Sequence, residues 1–256
     1  MEDLFFENNR VDALAMERLT GSPYVIDIYG FCGMTVIQEF AGKQVHETIR
    51  GPAESLKYAI QVSRGIRDIH AAGESKYPAL VHNDINLANI IVTNDGRPVL
   101  NDFNIAVLLM KNKVTGKPCQ FHALFPNPQW RSPEEQVEDE YESKHISPVV
   151  DEKIDVYAMG NVLYRLVAGG SPWKKKGSKG LSEEDKIFVA RAKRYNGTLP
   201  KVPDSAQLDD PAIAALHEAM TMCYKFHPKE RPSAAELVEF LEAAQKNISL
   251  TERMHS

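Results

Sequence analysis

A chain of 256 residues, 43% of them hydrophobic, can build a globular core as one large domain or as two parts sharing a cleft. Its formal charge of −5 gives no electrostatic reason to expect nucleic acid, and no apolar run approaches the roughly 20 residues of a membrane span. The opening "MEDLFFENNR" lacks a signal-peptide pattern. Cys32, Cys119 and Cys223 are scattered, with no C-x-x-C pair, which argues against a disulfide framework or a cysteine zinc site. The expected setting is reducing and intracellular, cytoplasmic or nuclear.

In chain order, "RVDALAMERL" has a helical rhythm, with Asp12, Met16 and Leu19 on one stripe. "YVIDIYGFCG" and "MTVIQEF" are rich in β-formers and split by a turn containing glycine, which predicts an antiparallel pair. A helix is predicted to start at Pro52 in "PAESLKYAIQVSRGIRDIHAAG", since proline suits a first turn. Short strands follow in "ALV", "NIIV" and "PVL", the last two separated by the turn signal "NDG". "IDVYAMGNVLYRLVAGG" is apolar nearly all round, so it predicts a buried helix. The final hundred residues read mostly as amphipathic helix, ending in "SAAELVEFLEAAQ" after the cap Ser233. "WKKKGSKG" is expected to be a solvated loop rather than a docking patch for acidic partners, and Trp130 and Trp173 to be packing residues.

The chemistry concentrates between residues 81 and 107, "VHNDINLANIIVTNDGRPVLNDFNIAV". Asp84 falls in a loop after a short strand, and Asn89 and Asp102 flank a hairpin that can bring them together. A carboxylate and a carboxamide oxygen form a hard donor pair suited to Mg²⁺, which takes few protein ligands and keeps waters and phosphates. A separate Asp is then free to orient or deprotonate a hydroxyl. The plainer alternative is that Asp and Asn serve the turns they border.

The stretch resembles the catalytic core of the eukaryotic-type protein kinases, whose catalytic loop reads H-R-D-x-x-x-x-N and whose metal motif reads D-F-G. Here "HNDINLAN" places His82, Asp84 and Asn89 in register, and "DFN" supplies Asp102 and Phe103. "RSPEE" follows with Ser132, Pro133 and Glu134, then "DVYAMG" with Asp155 and Gly160, then "HPKERPS" with Arg231. Upstream, "VIQEFAG" is similar to the strand-to-hinge segment. The resemblance implies an α+β bilobal fold with a truncated small β lobe (residues 1–42) and a mainly helical large lobe (residues 43–256). It implies ATP-dependent phosphoryl transfer to protein hydroxyls, more often serine or threonine, with ATP and Mg²⁺ as cofactors and a protein substrate as partner. Asp84 and Asn89 would be catalytic, and Asn89 and Asp102 would hold the metal. The backbone of Glu39 and Ala41 would face the adenine, with Ile91 also in the nucleotide site and Gln38 as gatekeeper. His82 and Phe103 would align the loop by packing, and Glu134 would pair with Arg231.

The sequence also departs from the family. No glycine-rich loop precedes the first helix, and the first lysine, Lys43, falls after the hinge. The helix acid that would meet the family's strand lysine is Asp12, with Glu17 second. These gaps predict that the first three strands of the small lobe are absent from this chain. Asn83 replaces the arginine that commonly reads an activation-segment phosphate, so control through Thr115 is not expected. Asn86 stands where a lysine usually approaches the γ-phosphate, which predicts slow or absent catalysis by the chain as written. Two alternatives follow: a kinase-like binding module, and a small-molecule phosphotransferase of the aminoglycoside or choline kinase type. "RSPEE", "DVYAMG" and "HPKERPS" argue against the second of these.

Overall fold

Three residues of the first predicted stripe fix how the chain starts. Met16 is fully buried and Leu19 nearly so, while Asp12 on the same face is half-buried. The helix that carries them, α1 (Glu2–Leu19), begins well before its amphipathic part, and Glu17 points to solvent. The computed structural model describes residues 2–33, 35–44, 51–74, 76–123, 128–137, 148–174 and 180–255.

Strands β1 (Ile28–Cys32) and β2 (Thr35–Gln38) form the expected antiparallel hairpin, with Gly33 at φ 59° in the turn. This ribbon leaves Tyr29, Phe31 and Ile37 exposed. Only part of "YVIDIYGFCG" is strand. Residues 24–26 are instead clamped to a distant strand, the Ile26 N–H donating to the Leu100 carbonyl and the Leu100 N–H to the Tyr24 carbonyl, each at 2.9 Å. Val25 and Ile26 bury their side chains beneath this clamp.

The sheet that positions the site contains β3 (Ala41–Gln44), β5 (Ile90–Thr93) and β6 (Pro98–Leu100), with β5 central and all pairs antiparallel. The turn after Thr93 contains Gly96 at φ 86°, a conformation that favours glycine. β4 (Leu80–Val81) pairs with β7 (Val107–Leu108), and β8 (Phe121–His122) with β9 (Val149–Val150). β7, β8 and β9, two residues each, were not predicted.

Helix α2 (Pro52–His70) starts at its proline, and α3 (Lys153–Ala168) is buried along most of its length. Gly169, at φ 67° in the left-handed region, ends α3 by donating to the Arg165 carbonyl. Ser182 caps α4 (Glu183–Asn196), and Asp210 caps α5 (Pro211–Cys223). Helix α6 (Ala234–His255) follows Ser233, whose hydroxyl accepts from the Glu236 N–H while the Glu236 carboxylate accepts from the Ser233 N–H. α3 packs on α5, and α2 packs on both α5 and α6. One continuous core runs from Met16 through Leu100 and Phe103 to Leu241. None of the described helices is long and apolar enough to cross a membrane. Lys175, Lys176 and Lys179 of "WKKKGSKG" lie outside the described residues.

Gly160 shows how closely α3 and α5 approach. A Cβ there would lie 2.8 Å from Cδ1 of Tyr224 and 3.1 Å from Cβ of Cys223. Neither neighbour is the far end of a flexible side chain. Gly160→Ala therefore destabilises the fold by about 1 kcal/mol or more, despite alanine's better helix propensity. Urea unfolding checks this, and an unchanged midpoint would contradict the close approach.

Candidate functional site

The site is organised around a buried carboxylate. Asp155, in the first turn of α3, is 1% exposed and accepts the N–H of His82 at 2.8 Å and of Asn83 at 2.9 Å. His70 Nε2 lies 3.1 Å from the same group. Burial works against its charge, but the hydrogen bonds and the two nearby imidazoles outweigh that and hold its carboxyl below the usual carboxylate range. With its N–H tied to Asp155, Asn83 takes a left-handed φ of 64°, which asparagine tolerates better than most residues. The chain reverses there and presents Asp84.

Asp84 belongs to a loop that satisfies itself. Its N–H donates to His82 Nδ1 at 3.3 Å, and its carbonyl accepts from the Asn86 side chain at 3.1 Å and the Asn89 side chain at 2.9 Å. Asn89 Nδ2 also donates to Asp84 Oδ2 at 2.9 Å, which leaves Oδ1 without a hydrogen bond among the described residues. Asn86 Oδ1 caps the short 3₁₀ turn Leu87–Asn89. Its amide is thus consumed locally.

The β5–β6 hairpin brings the segment carrying Asp102 alongside. Ile90 pairs with Leu100, and the Asn101 N–H donates to the Asn89 carbonyl at 3.0 Å, one residue before Asp102. Asp102 is also left-handed, at φ 65°, and its carboxylate makes no hydrogen bond among the described residues. His82 Nε2 donates to the Asn101 carbonyl at 3.1 Å, and its ring lies 4.6 Å from that of Phe103. From α1, Asp12 Oδ1 accepts the Phe103 N–H at 2.6 Å. Burial raises the Asp12 carboxyl above its ordinary range; the Phe103 bond opposes this and the Asp102 charge adds to it.

The donor set fits a hard divalent cation. Asn89 spends its nitrogen on Asp84, leaving its side-chain oxygen, and Asp102 offers a free carboxylate. Among the described residues no group of three or more His, Cys, Asp or Glu could hold a metal. A cation here would take its remaining ligands from phosphates and water, as Mg²⁺ usually does.

Of the remaining predicted residues, Ala41 and Ile91 lie on the sheet, and Glu39 falls between β2 and β3. Ile91 is half-buried, on the opposite face of β5 from the buried Ile90 and Val92. Ala41 is paired with Thr93, so the hinge strand is bonded to the strand carrying Ile91. The Glu39 N–H donates to the Asp27 carbonyl at 2.8 Å, and its carboxylate pairs with Arg97 at 2.8 Å. No hydrogen bond among the described residues joins Glu39 or Ala41 to the Asp84 group. On the other side of Asp84 a cleft of about 680 Å³ opens, walled by Asn86, Trp130, Arg165, Ser171 and Lys174 among others.

A family model described as "protein kinase domain" matches residues 8–240 of this sequence. The chain belongs to the protein kinase family. Among curated proteins it is similar to a probable serine/threonine-protein kinase, roco7, of Dictyostelium discoideum, 25% identical over 90% of this chain and 8% of that protein. It is also similar to the LRR receptor kinase SERK2 of Oryza sativa subsp. japonica, 27% identical over 74% of this chain and 29% of that one. Mitogen-activated protein kinase kinase kinase 3 of Arabidopsis thaliana is 30% identical over 71% of this chain and 26% of its own length. The kinase chain thus spans less than a third of each of these relatives.

The platform below the kinase cleft rests on two buried basic side chains. Arg231, 2% exposed, holds Glu134 bidentately at 2.6 and 2.7 Å and stacks 4.9 Å over Tyr157. Lys193, on α4, donates to the carbonyls of Gln129 at 3.1 Å and Arg131 at 2.8 Å, and so pins the segment that carries Trp130. The sequence reading missed Lys193, although it follows the buried Val189 by four positions on the apolar stripe of α4. It also credited only Ser132, Pro133 and Glu134 in "RSPEE" and passed over Arg131. The Arg131 guanidinium donates to the Asn83 carbonyl at 2.5 Å and to Glu135 at 3.2 Å, so a cation does sit against position 83. Burial raises the Glu135 carboxyl even though Arg131 opposes it.

Two outcomes follow from this geometry. Asp155→Ala leaves buried N–H groups without an acceptor and lowers unfolding free energy by about 3–5 kcal/mol, measurable in urea. Burial lowers the Lys193 ammonium to about 7 from 10.5. Between those values the unfolded chain holds a proton that the folded one lacks, so stability rises with pH in that window. Compared with Lys193→Met, wild type gains up to about 1.4 kcal/mol per pH unit there. Parallel stability curves for the two proteins would contradict this.

Proposed function

We propose that this chain transfers the γ-phosphoryl group of ATP to serine or threonine hydroxyls of proteins. The observation that carries the reading is the state of Asp84, which lines the cleft: one carboxylate oxygen is fixed by Asn89 and the other has no hydrogen bond among the described residues. Asp84 orients the acceptor hydroxyl and takes its proton, the acceptor oxygen forms the new bond to phosphorus, and the bond to the departing ADP breaks. Asn89 and Asp102 would hold Mg²⁺, which when bound supplies charge neutralisation on the phosphates.

On the nucleotide side the carbonyl of Glu39 and the N–H of Ala41 would face the adenine, and Ile91 would pack against the ring. The bonding of β3 to β5 supports this for Ala41 and Ile91, because it holds them on one sheet, with Glu39 two residues before Ala41. The division at residues 42 and 43 belongs to the same reading, with β3 (Ala41–Gln44) bridging the two parts. Asp12 would hold the metal motif in register through the Phe103 N–H rather than meet a lysine. Asn86 has its side chain bonded within the loop, so it brings no cation to the phosphate, which supports a modest rate.

In a transfer assay with Mg·ATP and a mixed peptide pool, Asp102→Asn reduces turnover by at least about 100-fold, and Asp84→Asn by about 100- to 10,000-fold. Both variants keep the wild-type circular dichroism spectrum. Wild-type turnover in folded Asp102→Asn would remove the metal assignment.

A further inference from the structure

The cleft beside Asp84 has an unusual charge inventory for a protein of net charge −5. Three cations line it, Arg131, Arg165 and Lys174, against one carboxylate, Asp84 itself. Arg131 is already spent, since its guanidinium is buried and bonded to Asn83 and Glu135. Arg165 and Lys174 are not. Arg165 is half-buried near the end of α3, Lys174 is exposed beyond it, and neither side chain has an ion-pair or hydrogen-bond partner among the described residues. Lys174 is as solvated as its sequence context predicts, yet it shares a wall with the catalytic loop.

An unpaired guanidinium in a partly enclosed cleft favours an anionic ligand, because it presents several donors in a plane that match carboxylate or phosphate oxygens. Trp130 adds a flat apolar surface and Ser171 a hydroxyl to the same wall. A peptide with basic residues here would meet two like charges and no compensating carboxylate other than the one needed for catalysis. We propose that Arg165 and Lys174 select substrates that carry an anionic side chain, carboxylate or phosphate, close to the acceptor hydroxyl. This deepens the phosphoryl-transfer reading, because it uses the same cleft.

The test is direct binding, measured by fluorescence anisotropy without nucleotide, so that it is independent of catalysis. Labelled serine peptides carry aspartate, phosphoserine, alanine or lysine at each position flanking the acceptor. The expected result is that aspartate or phosphoserine at one flank tightens binding about tenfold over alanine, and that lysine weakens it. The advantage disappears in Arg165→Gln/Lys174→Gln, and Lys174→Glu, at an exposed position, reduces it without loss of fold. Preference for phosphoserine alone would identify a phosphate as the ligand, and equal preference would identify negative charge as such. Equal wild-type affinity for the alanine and lysine sets, or full retention of the acidic preference in the double variant, would overturn the proposal. Transfer is then assayed on the same peptides. An acidic preference in binding with no transfer to any peptide would leave the specificity proposal standing and sink the catalytic one. Transfer to all sets at one rate, with no preference in binding, would do the reverse.

Discussion

Asp155 is the constraint on which the rest of the site depends. A carboxylate taken almost wholly out of water is tolerable only if donors surround it. Here the donors are the backbone N–H groups of His82 and Asn83, with His70 beside them. Meeting that requirement forces Asn83 into the left-handed region and turns Asp84 outward. Local strain and a buried charge, each unfavourable alone, thus stabilise one loop conformation together. The identity of the residue before Asp84 matters through this geometry as well as through its charge.

From that loop, order passes to the Asn101–Phe103 segment by short physical links. His82 is bonded to Asp84 through one ring nitrogen and to the Asn101 carbonyl through the other, and it packs on Phe103. Phe103 in turn gives its N–H to Asp12 on α1. Helix, hairpin and the loop of residues 82–89 are therefore a single bonded chain from α1 to α3. On the far side, Arg131 bonds the Asn83 carbonyl, while Lys193 ties the Arg131 carbonyl to α4, so the cleft wall is fixed to the same loop.

Much of this was legible in the sequence where the signal was a pattern along the chain. The spacing of His82, Asp84 and Asn89, and the turn between the strands that precede Asp102, needed only local reading. So did the nearly all-round apolar face of α3, whereas Gly160 was marked only by the family resemblance. What was not legible came from contacts between segments far apart. Nothing near Asp12 says that its carboxylate meets Phe103 rather than a lysine, since that depends on how α1 lies against the hairpin. The clamp of residues 24–26 onto Leu100 has no periodicity of its own. Lys174 reads as an ordinary loop cation and Arg165 carries no signal of its own; the cleft places both beside Asp84. Buried basic side chains such as Lys193 are hardest to read, because their partners are carbonyls that any sequence supplies.

Native-state hydrogen exchange of the His82 and Asn83 amides tests the role of Asp155 most directly, since both protons should be released only when the loop itself opens. The geometry predicts that both exchange with the slowest class in the chain, and that Asp155→Asn moves them to fast, local exchange while the amides of α5 stay protected. Fast exchange of both amides in the wild-type chain would contradict it, because the catalytic loop would then be held by something other than the buried carboxylate.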